Sequence, residues 1–346
     1  MNTASIVFHV IYVHGAVRTL LPFLDTLLRW SDCRYCLVAN GCDVDELALL
    51  RTRCDGEPRL SMLVLPGPEV LGHGAVLNHL YACTTWETFC FMDSDILAVG
   101  DFLAVLLPHL PGAAGVFSAW PLSIKASERV LPDNSNHLIG HHSITPGGVH
   151  LGGTYLAIYD RAALAVGMAA APGGFNGCLW SELAEATQAI LQEVGQVRTH
   201  YDTGRVLNLC LLQRGYRLHV EHTATLCHLG NYSDPFLRAA ATPRNGSNLH
   251  PLAENLRRAA ARLANRMRGR KQAPGTPPLP ALKLRKRRIH AYFTAVTRAL
   301  DAGQPLPALL QVGDAEIDPQ IVQATTHLIA LYRDIGRALN VQEPEK

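Results

Sequence analysis

The chain has 346 residues, of which 48% are hydrophobic and only 17% are charged. This balance excludes a disordered protein and provides enough apolar residues for a large core, and the length suits one large domain or two. The formal net charge of +2 hides an asymmetry. Twelve of the 31 lysines and arginines lie at positions 257–288, where there is no acidic residue, so the rest of the chain has 19 basic and 29 acidic residues. The sequence therefore predicts an acidic body and a basic segment near its C-terminal end.

No segment is typical of secretion or of membrane insertion. The first residues lack a basic region followed by an uninterrupted apolar run, so we expect no signal peptide. The longest apolar region, 102–120, contains Pro108 and Pro111 and does not predict a membrane-spanning helix. Nine cysteines, an odd number located mostly in apolar segments, favour a reducing compartment. We therefore expect a cytoplasmic protein, with peripheral attachment at the inner face of a membrane as a further hypothesis.

Hydrophobic periodicity in the first part of the chain predicts βα units around a mostly parallel sheet. The predicted strands are 5–13, 35–39, 60–65, 88–92 and 115–119. The predicted helices between them are 17–30, 43–53, 75–84 and 102–107, with a kink or a late start at Pro22 in the first of them. Open sheets of this kind bind ligands at the carboxyl ends of their strands.

The second part of the chain begins with a predicted long loop at 122–148, rich in Ser, Asn, His, Pro and Gly, which we interpret as an acceptor-side lid. The alternative is a solvated polar loop. A strand at 150–159, a helix from 160, a helix at 202–213 and a final strand pair at 217–226 follow. Beyond 235 we predict an Arg-rich amphipathic helix, a Pro-rich linker at 273–280, and helices at 289–302 and 318–339. The predicted domains are 1–235, with halves 1–120 and 121–235, and a basic helical region at 236–346.

The strongest functional signal is the segment FCFMDSDI at 89–96, an apolar strand that ends in Asp93, Ser94 and Asp95. Because the chain leaves the sheet here, both carboxylates can reach the crevice at the carboxyl edge. Carboxylate oxygens hold Mg²⁺ or Mn²⁺ and leave positions open for phosphate groups. The sequence therefore predicts a metal site for a phosphate-bearing ligand. The alternative is that the two acids only begin a turn.

Just upstream, two glycines begin a predicted helix in the segment GHGAVLN at 72–78. Gly72 and Gly74 allow backbone N–H groups to approach an anion at the helix N-terminus, and Asn78 follows one turn later. The segment predicts a second part of the same ligand site. The alternative is a plain glycine N-cap with Asn78 on a solvated face.

In their order along the chain, these segments resemble the nucleotide-sugar-binding part of GT-A glycosyltransferases, especially the family 2-like group. Further similarity lies in GGTYLAIYDR at 152–161, HYDTG at 200–204 and RGYR at 214–217. The match covers residues 5–232, with two departures: Tyr201-Asp202 replaces the usual Glu-Asp pair, and Asn40 to Asp43 replaces an acidic residue after the second strand. The resemblance implies a GT-A α/β fold, with 1–120 as the nucleotide-sugar-binding half and 121–235 as the acceptor half.

The resemblance also implies roles for individual residues. His14, Gly15 and Asn40 stand where the nucleotide base and ribose bind, and His228 stands where the family has a metal-binding histidine. From its place at a helix start, Asp202 is the predicted base for an inverting transfer, with His200 as a substitute. Plainer interpretations are turn residues, a loop histidine and a helix-capping aspartate.

The sequence thus predicts a transferase that needs Mn²⁺ or Mg²⁺ and moves a sugar, such as a hexose, from a nucleotide diphosphate sugar to an acceptor that is a small molecule, a lipid-linked group or a glycan. A nucleotidyltransferase has the same kind of sheet, but the Gly-rich basic loop it requires is absent after Val13. A phosphatase is disfavoured by Leu97, which stands where Thr or Val is expected.

A different class of protein would act through its basic segment. Residues 252–288 could attract an anionic membrane surface or, with no recognition motif to support it, nucleic acid. The simplest interpretation of the Arg-rich helix is a solvated face whose leucines pack on the acidic body.

Overall fold

The computed structural model describes residues 3–230, 232 and 279–341. Its strands are β1 (Val7–Val13), β2 (Arg34–Asn40), β3 (Leu60–Val64), β4 (Thr88–Asp93), β5 (Ile96–Ala98), β6 (Gly115–Ser118), β7 (His137–Leu138), β8 (Leu156–Asp160), β9 (Cys178–Leu179), β10 (His200–Tyr201), β11 (Leu218–Val220) and β12 (Leu226–His228). Its helices are α1 (Val17–Leu20), α2 (Phe23–Trp30), α3 (Val44–Asp55), α4 (His73–Cys83), α5 (Phe102–Leu106), α6 (Arg161–Ala170), α7 (Glu185–Glu193), α8 (Arg205–Gln213), α9 (Leu279–Asp301) and α10 (Ile317–Val341).

The central sheet has seven strands in the order β11-β6-β8-β4-β1-β2-β3. Strand β8 runs antiparallel to β4 and β6, and the other neighbouring pairs are parallel. A small sheet of β5 and β12 lies beside it, and β7, β10 and β9 form a third. The sheet, its flanking helices and the C-terminal helices confirm the predicted fold class, a GT-A-like α/β architecture with a helical extension.

Several predicted elements lie within a few residues of their observed positions, and others differ. The strand predicted at 150–159 is reduced to β8, the helix predicted at 289–302 begins ten residues earlier as α9, and α7 and the short strands β5, β7, β9 and β10 were not predicted. Pro22 divides the first predicted helix into α1 and α2, because proline cannot donate the backbone hydrogen bond that a continuous helix needs. The final strand pair at 217–226 is wrong as a pair. Strand β11 joins β6 at the edge of the central sheet, and β12 pairs with β5 instead. The Arg-rich helix and most of the Pro-rich linker lie outside the described residues, and α9 already begins at Leu279.

The sheet is buried on both faces, as a mostly parallel sheet requires. Along β1, Phe8, Val10 and Tyr12 point into one core, and Val7 and Ile11 point into the other. The first core also takes in apolar residues of α9 and α10, so the C-terminal helices pack on the same body as the sheet. The second core lies under α4, α6 and α8. The predicted boundary at 235 stays a prediction.

The structure also describes the state of the cysteines and the apolar character of the helices. All nine cysteines are free thiols. Within the residues that the structure describes, no helix combines the length and apolar character needed to cross a bilayer.

Gly74 provides a test of the packing that positions α4. A Cβ atom at this position would lie 2.7 Å from both the Asn176 Cα and the Phe175 carbonyl oxygen. Gly74→Ala should therefore lower the free energy of unfolding by about 1–3 kcal/mol, as overpacking does. Gly56→Ala is the matched control, since its nearest neighbour would be 3.7 Å away. Chemical denaturation checks both variants, and equal stability of the two would contradict the packing described for α4.

Candidate functional site

The two predicted aspartates meet a histidine at the carboxyl edge of the central sheet. The Nε2 atom of His228 lies 3.0 Å from an Asp95 oxygen and 3.6 Å from an Asp93 oxygen. His228 and Asp95 are buried, and the side chain of Asp93 is 28% exposed. The structure therefore brings together all three residues predicted to bind metal, with the more open carboxylate facing the crevice.

The small β5–β12 sheet is the reason that these residues meet. Strand β4 ends at Asp93, the chain turns through Asp95, and β5 pairs antiparallel with β12 so that His228 lies opposite Ile96. The Leu229 N–H donates to the Asp95 carbonyl oxygen at 3.1 Å and extends this pairing. Backbone hydrogen bonds thus fix the histidine and the acidic turn relative to one another.

A carbonyl group fixes the orientation of the His228 ring. The Nδ1 atom lies 2.5 Å from the Ala119 carbonyl oxygen, which can only accept, so Nδ1 donates its proton there. Ala119 follows β6 with φ +62°, a left-handed conformation that is uncommon for residues with a Cβ. This backbone geometry directs Nε2, rather than Nδ1, toward the two carboxylates.

The charges of the three side chains shift one another's pKa values. Burial acts to lower the pKa of His228, but the charges of Asp95 and Asp93 outweigh it and the pKa is raised. Burial acts to raise the pKa of Asp95, yet the His228 charge and hydrogen bonds, including one from the Tyr232 N–H, lower it. The pKa of Asp93 is raised by burial, with the Asp95 charge adding to the effect. Two close carboxylates therefore need positive charge beside them.

The arrangement suits a divalent cation. The Nε2 atom of His228 is buried and makes no well-aligned hydrogen bond, although Asp95 lies at ion-pair distance. One ligand atom each from Asp93, Asp95 and His228 fall within 4.8 Å of one another. The proton donated by Nδ1 to a carbonyl leaves the Nε2 lone pair for a metal, an outer contact typical of metal-binding histidines. The residues present thus fit the predicted Mn²⁺ or Mg²⁺.

The C-terminal helices contact this cluster through Tyr232. Its backbone N–H donates to an Asp95 oxygen at 3.1 Å, and its hydroxyl group bonds to Thr297 of α9. The Thr297 hydroxyl donates to the Phe293 carbonyl oxygen, so the Tyr232 hydroxyl donates to Thr297. A helix far along the chain therefore helps to hold a candidate metal ligand.

His73 and Tyr155, two residues that the sequence analysis missed, interact electrostatically with both the cluster and Asp202. The His73 Nε2 atom, buried and without a hydrogen bond, lies 3.9 Å from an Asp93 oxygen. Burial lowers the pKa of His73 to about 4, against the negative charge of Asp202. Burial and then Asp202 raise the pKa of Tyr155, with smaller effects from Asp93 and Asp95. The three carboxylates therefore share one electrostatic neighbourhood.

Asp202 is fixed by the backbone around it. One of its oxygens accepts from the Gly140 N–H at 2.8 Å, and the other accepts from the Thr203 N–H at 2.9 Å. A Cβ atom on Gly140 would lie 3.1 Å from both Asp202 and the Tyr155 hydroxyl, so a larger residue here would have to displace these side chains slightly. His200 lies on β10, where its ring is 5.8 Å from that of His137. The structure thus orients Asp202 more firmly than His200.

Arg205 anchors the loop that the sequence analysis interpreted as a lid. Its side chain is buried at 1% exposure and donates to the carbonyl oxygens of Ile139, Gly140, Leu151 and Gly152. Four carbonyl contacts to one buried guanidinium hold residues 139–152 in place. A single charged residue at the start of the otherwise uncharged helix α8 is the signal that could have revealed it.

The predicted donor-binding asparagines are occupied by backbone partners. The buried Asn40 side chain bonds to both the N–H and the carbonyl of Leu71. Asn78 accepts from the Phe175 N–H and donates to the Gly173 carbonyl. Ser94 is buried in the acidic turn. These side chains therefore shape the edge of the sheet, and their contact with a ligand stays a prediction.

The first βα turn forms a compact polar group. His14 lies 2.9 Å from Glu46, and Glu46 also accepts from the Gly15 N–H at 2.7 Å. Asp43 and Glu46 form a reciprocal capping box at the start of α3. Glu46, another residue that the sequence analysis missed, therefore orients both predicted ligand-binding residues of this turn.

No family model matches the sequence, and no curated protein matches it either. The fold resembles a mannosyltransferase from Pyrobaculum calidifontis in complex with GDP-mannose and Mn²⁺, with 16% identity and a TM-score of 0.40 over 94% of this chain and 86% of that chain. It also resembles the galactosyltransferase LgtC in complex with donor and acceptor sugar analogues (7% identity, TM-score 0.38, 70% of this chain and 98% of that chain). A third similar structure is a 4-diphosphocytidyl-2C-methyl-D-erythritol synthase from Anaerococcus prevotii (11% identity, TM-score 0.36, 68% and 98%). These likenesses concern the fold, and the reaction must be argued from the site.

Thr297→Val tests the link between α9 and the cluster. The variant keeps the shape of the side chain but leaves the buried Tyr232 hydroxyl without its acceptor, which should cost about 1–3 kcal/mol of unfolding free energy. Thr326→Val is the control, because its exposed hydroxyl bonds only to the Val322 carbonyl of its own helix. Denaturant unfolding checks both, and a loss no larger than that of the control would contradict the link.

Proposed function

We propose that the chain is a metal-dependent glycosyltransferase whose donor is a nucleotide diphosphate sugar. The observation that carries this proposal is the Asp93–Asp95–His228 cluster at the carboxyl edge of the sheet, with the separate carboxylate of Asp202 nearby. Transfer to a hydroxyl group needs charge neutralisation of the leaving diphosphate and a proton acceptor. The cluster and Asp202 are suited to these two tasks.

Asp93, Asp95 and His228 would hold the cation. When bound, it would supply Lewis-acid stabilisation to the leaving diphosphate. A mixed set of two carboxylates and one imidazole favours Mn²⁺ over Mg²⁺, because Mg²⁺ prefers an all-oxygen shell that keeps several waters. The protein's own contribution is to orient these ligands through the Ala119 carbonyl and the Tyr232 N–H.

For the donor, we propose a place across the carboxyl ends of β1 and β2, beside His14 and Gly15. Helix α4 supports this placement, because its N-cap is Gly72, which has no side chain to cap the first backbone N–H groups. Backbone N–H groups and the helix dipole there favour phosphate. Asn40 and Asn78 would act on the donor indirectly, through the backbone segments that they hold.

We propose a single displacement for the transfer. The acceptor hydroxyl oxygen attacks the anomeric carbon, its proton passes to Asp202, and the bond to the nucleotide diphosphate breaks, which inverts the configuration. Each Asp202 oxygen accepts one backbone N–H and retains a lone pair for this proton. His200 stays the alternative base.

The acceptor and the basic segment complete the proposal. On α9, Lys283, Leu284 and Arg287 are exposed, with Leu284 at 59%. A basic surface with an exposed leucine suits an anionic acceptor or an anionic lipid surface. The cytoplasmic location, the membrane attachment and the alternative of binding without catalysis stay predictions from the sequence.

Asp95→Asn tests the metal-dependent donor site. The parent protein should gain about 2.7 kcal/mol of stability from a nucleoside diphosphate at 100 times its Kd, only when Mn²⁺ is present. The variant should lose this gain, since a neutral amide replaces a buried anionic ligand. Thermal unfolding with UDP, GDP, CDP, ADP and dTDP, each with and without Mn²⁺, is the measurement.

Asp101→Asn is the matched control for this experiment. Asp101 caps α5 through a bond to the Ala104 N–H, a task that asparagine performs equally well. It should keep the Mn²⁺-dependent gain. Stabilisation of Asp95→Asn equal to that of the control would overturn the metal site. Release of pyrophosphate from a nucleoside triphosphate by the parent would favour the nucleotidyltransferase alternative.

Asp202→Asn tests the base. Donor binding should persist, while hydrolysis or transfer of the sugar should fall by about 10²–10⁴-fold, the usual contribution of a general base. Asp160→Asn, which retains the cap of α6, is the control. Steady-state rates with the donor found by thermal unfolding check the effect, and an unchanged kcat in the Asp202 variant would exclude this role.

A further inference from the structure

A second group of metal-binding side chains lies at the edge of the central sheet formed by β11. His219 lies in β11, and Glu221 is the first residue after that strand. His109 is the last residue of the 3₁₀ turn that follows α5. One Glu221 oxygen lies 3.1 Å from the His219 Nε2 atom and 3.4 Å from the His109 Nε2 atom. We name these three residues the edge cluster.

The backbone holds the three side chains together. His219 and Glu221 are two residues apart in extended chain and therefore share one side of the strand. The Glu221 N–H donates to the Phe117 carbonyl at 2.9 Å, which continues the pairing of β11 with β6. The Arg217 guanidinium donates to the carbonyl of Pro111 at 3.0 Å, close to His109 in the chain. The arrangement is thus fixed at both of its chain segments.

The donor spacing suits a tetrahedral zinc site. Bonds of about 2.0–2.2 Å to nitrogen and oxygen place the ligand atoms of such a site roughly 3.3–3.5 Å apart. The separations of 3.1 and 3.4 Å in the edge cluster agree with this value. Two imidazoles and one carboxylate are a zinc donor set, whereas the Asp93 cluster has two carboxylates and one imidazole.

The imidazole rings are stacked, with centroids 3.8 Å apart and planes 12° from parallel. A cation in the plane of one ring would lie off the plane of the other, so rotation of one ring is needed to align both lone pairs. Side-chain exposures of 37% for His109, 18% for His219 and 29% for Glu221 leave room for this rotation and for a water as fourth ligand.

We propose that the edge cluster binds Zn²⁺ through three protein ligands and a water, separate from the Asp93 cluster, and that the metal cross-links this side of the sheet. The metal would join the turn after α5 to β11, an edge strand of only three residues. Short edge strands have few hydrogen bonds to hold them, so a cross-link between distant parts of the chain would stabilise this side of the sheet. An ordinary ion pair between Glu221 and one protonated histidine is the competing explanation.

The test uses full-length, metal-stripped protein carrying Asp95→Asn, which weakens cation binding at the Asp93 cluster. Isothermal titration with Zn²⁺ should give one high-affinity equivalent, and Co²⁺ should give the visible absorption of a tetrahedral site. His219→Ala and Glu221→Gln should each lower the zinc affinity beyond the ~10–100-fold that loss of an outer contact costs. Zinc should raise the melting temperature of the Asp95→Asn protein. It should not raise that of the same protein carrying His219→Ala or Glu221→Gln in addition.

His79→Ala is the control, because His79 forms an exposed pair with Cys83 that could also bind zinc. It should leave the titration unchanged. Glu221→Gln nearly preserves shape, so circular dichroism of this variant separates lost binding from lost folding. Equal zinc affinity in the parent, His219→Ala and Glu221→Gln, or loss of binding in His79→Ala alone, would overturn the edge cluster as a zinc site.

Discussion

The confinement of two carboxylates against one buried imidazole is the constraint on which the rest of the site depends. Asp95 and His228 are almost fully buried, and burial of like charges is costly unless positive charge and hydrogen bonds compensate. The Ala119 carbonyl fixes the ring, so the positive charge can arise only at Nε2, from a proton or from a bound cation. Because metal ligands must be deprotonated, these two alternatives exclude one another at that atom. The same geometry therefore places either a proton or the proposed cation at one atom, between the two carboxylates.

This constraint explains features that the central sheet alone would not need. The left-handed Ala119 directs a carbonyl to the ring, the β5–β12 pair carries the histidine to the acidic turn, and Tyr232 passes the support of α9 to Asp95. Each element comes from a different part of the chain. Strain in the backbone of a residue with a side chain is tolerated where surrounding contacts over-determine it. Helix α9 is consequently part of the structure of the site, whatever else its basic residues contact.

The sequence was sufficient to predict those parts of the site that depend on local pattern. An apolar run ending in Asp93 and Asp95 predicts a strand that ends at the carboxyl edge of the sheet, and the structure places both acids at that edge. His228 was identified only through the family resemblance, because no local pattern encodes the pairing of β5 with β12. Tyr232, which follows β12, shows how long the separation is: it lies 137 residues beyond Asp95 and still bonds to it. Arg205 and Glu46 were missed because their partners are backbone groups of distant loops. Asn40 and Asn78 bond to the protein's own backbone, a role that their motifs did not reveal, and their contact with a ligand stays a prediction.

The uneven distribution of charge along the chain affects both the proposed donor site and the packing of the C-terminal helices. An acidic body should repel a nucleotide diphosphate, and a cation at the Asp93 cluster would reverse the local sign of the potential for the proposed donor. Ion pairs between the C-terminal helices and the body have both polarities. The cation is on the helix in the pair of Arg285 with Glu128, and the anion is on the helix in the pair of Asp334 with Arg29. The helices are therefore not held to the body by a simple attraction of opposite net charges. Their shared apolar core and individually paired charges hold them, which leaves exposed residues such as Lys283 and Arg287 available for an anionic partner.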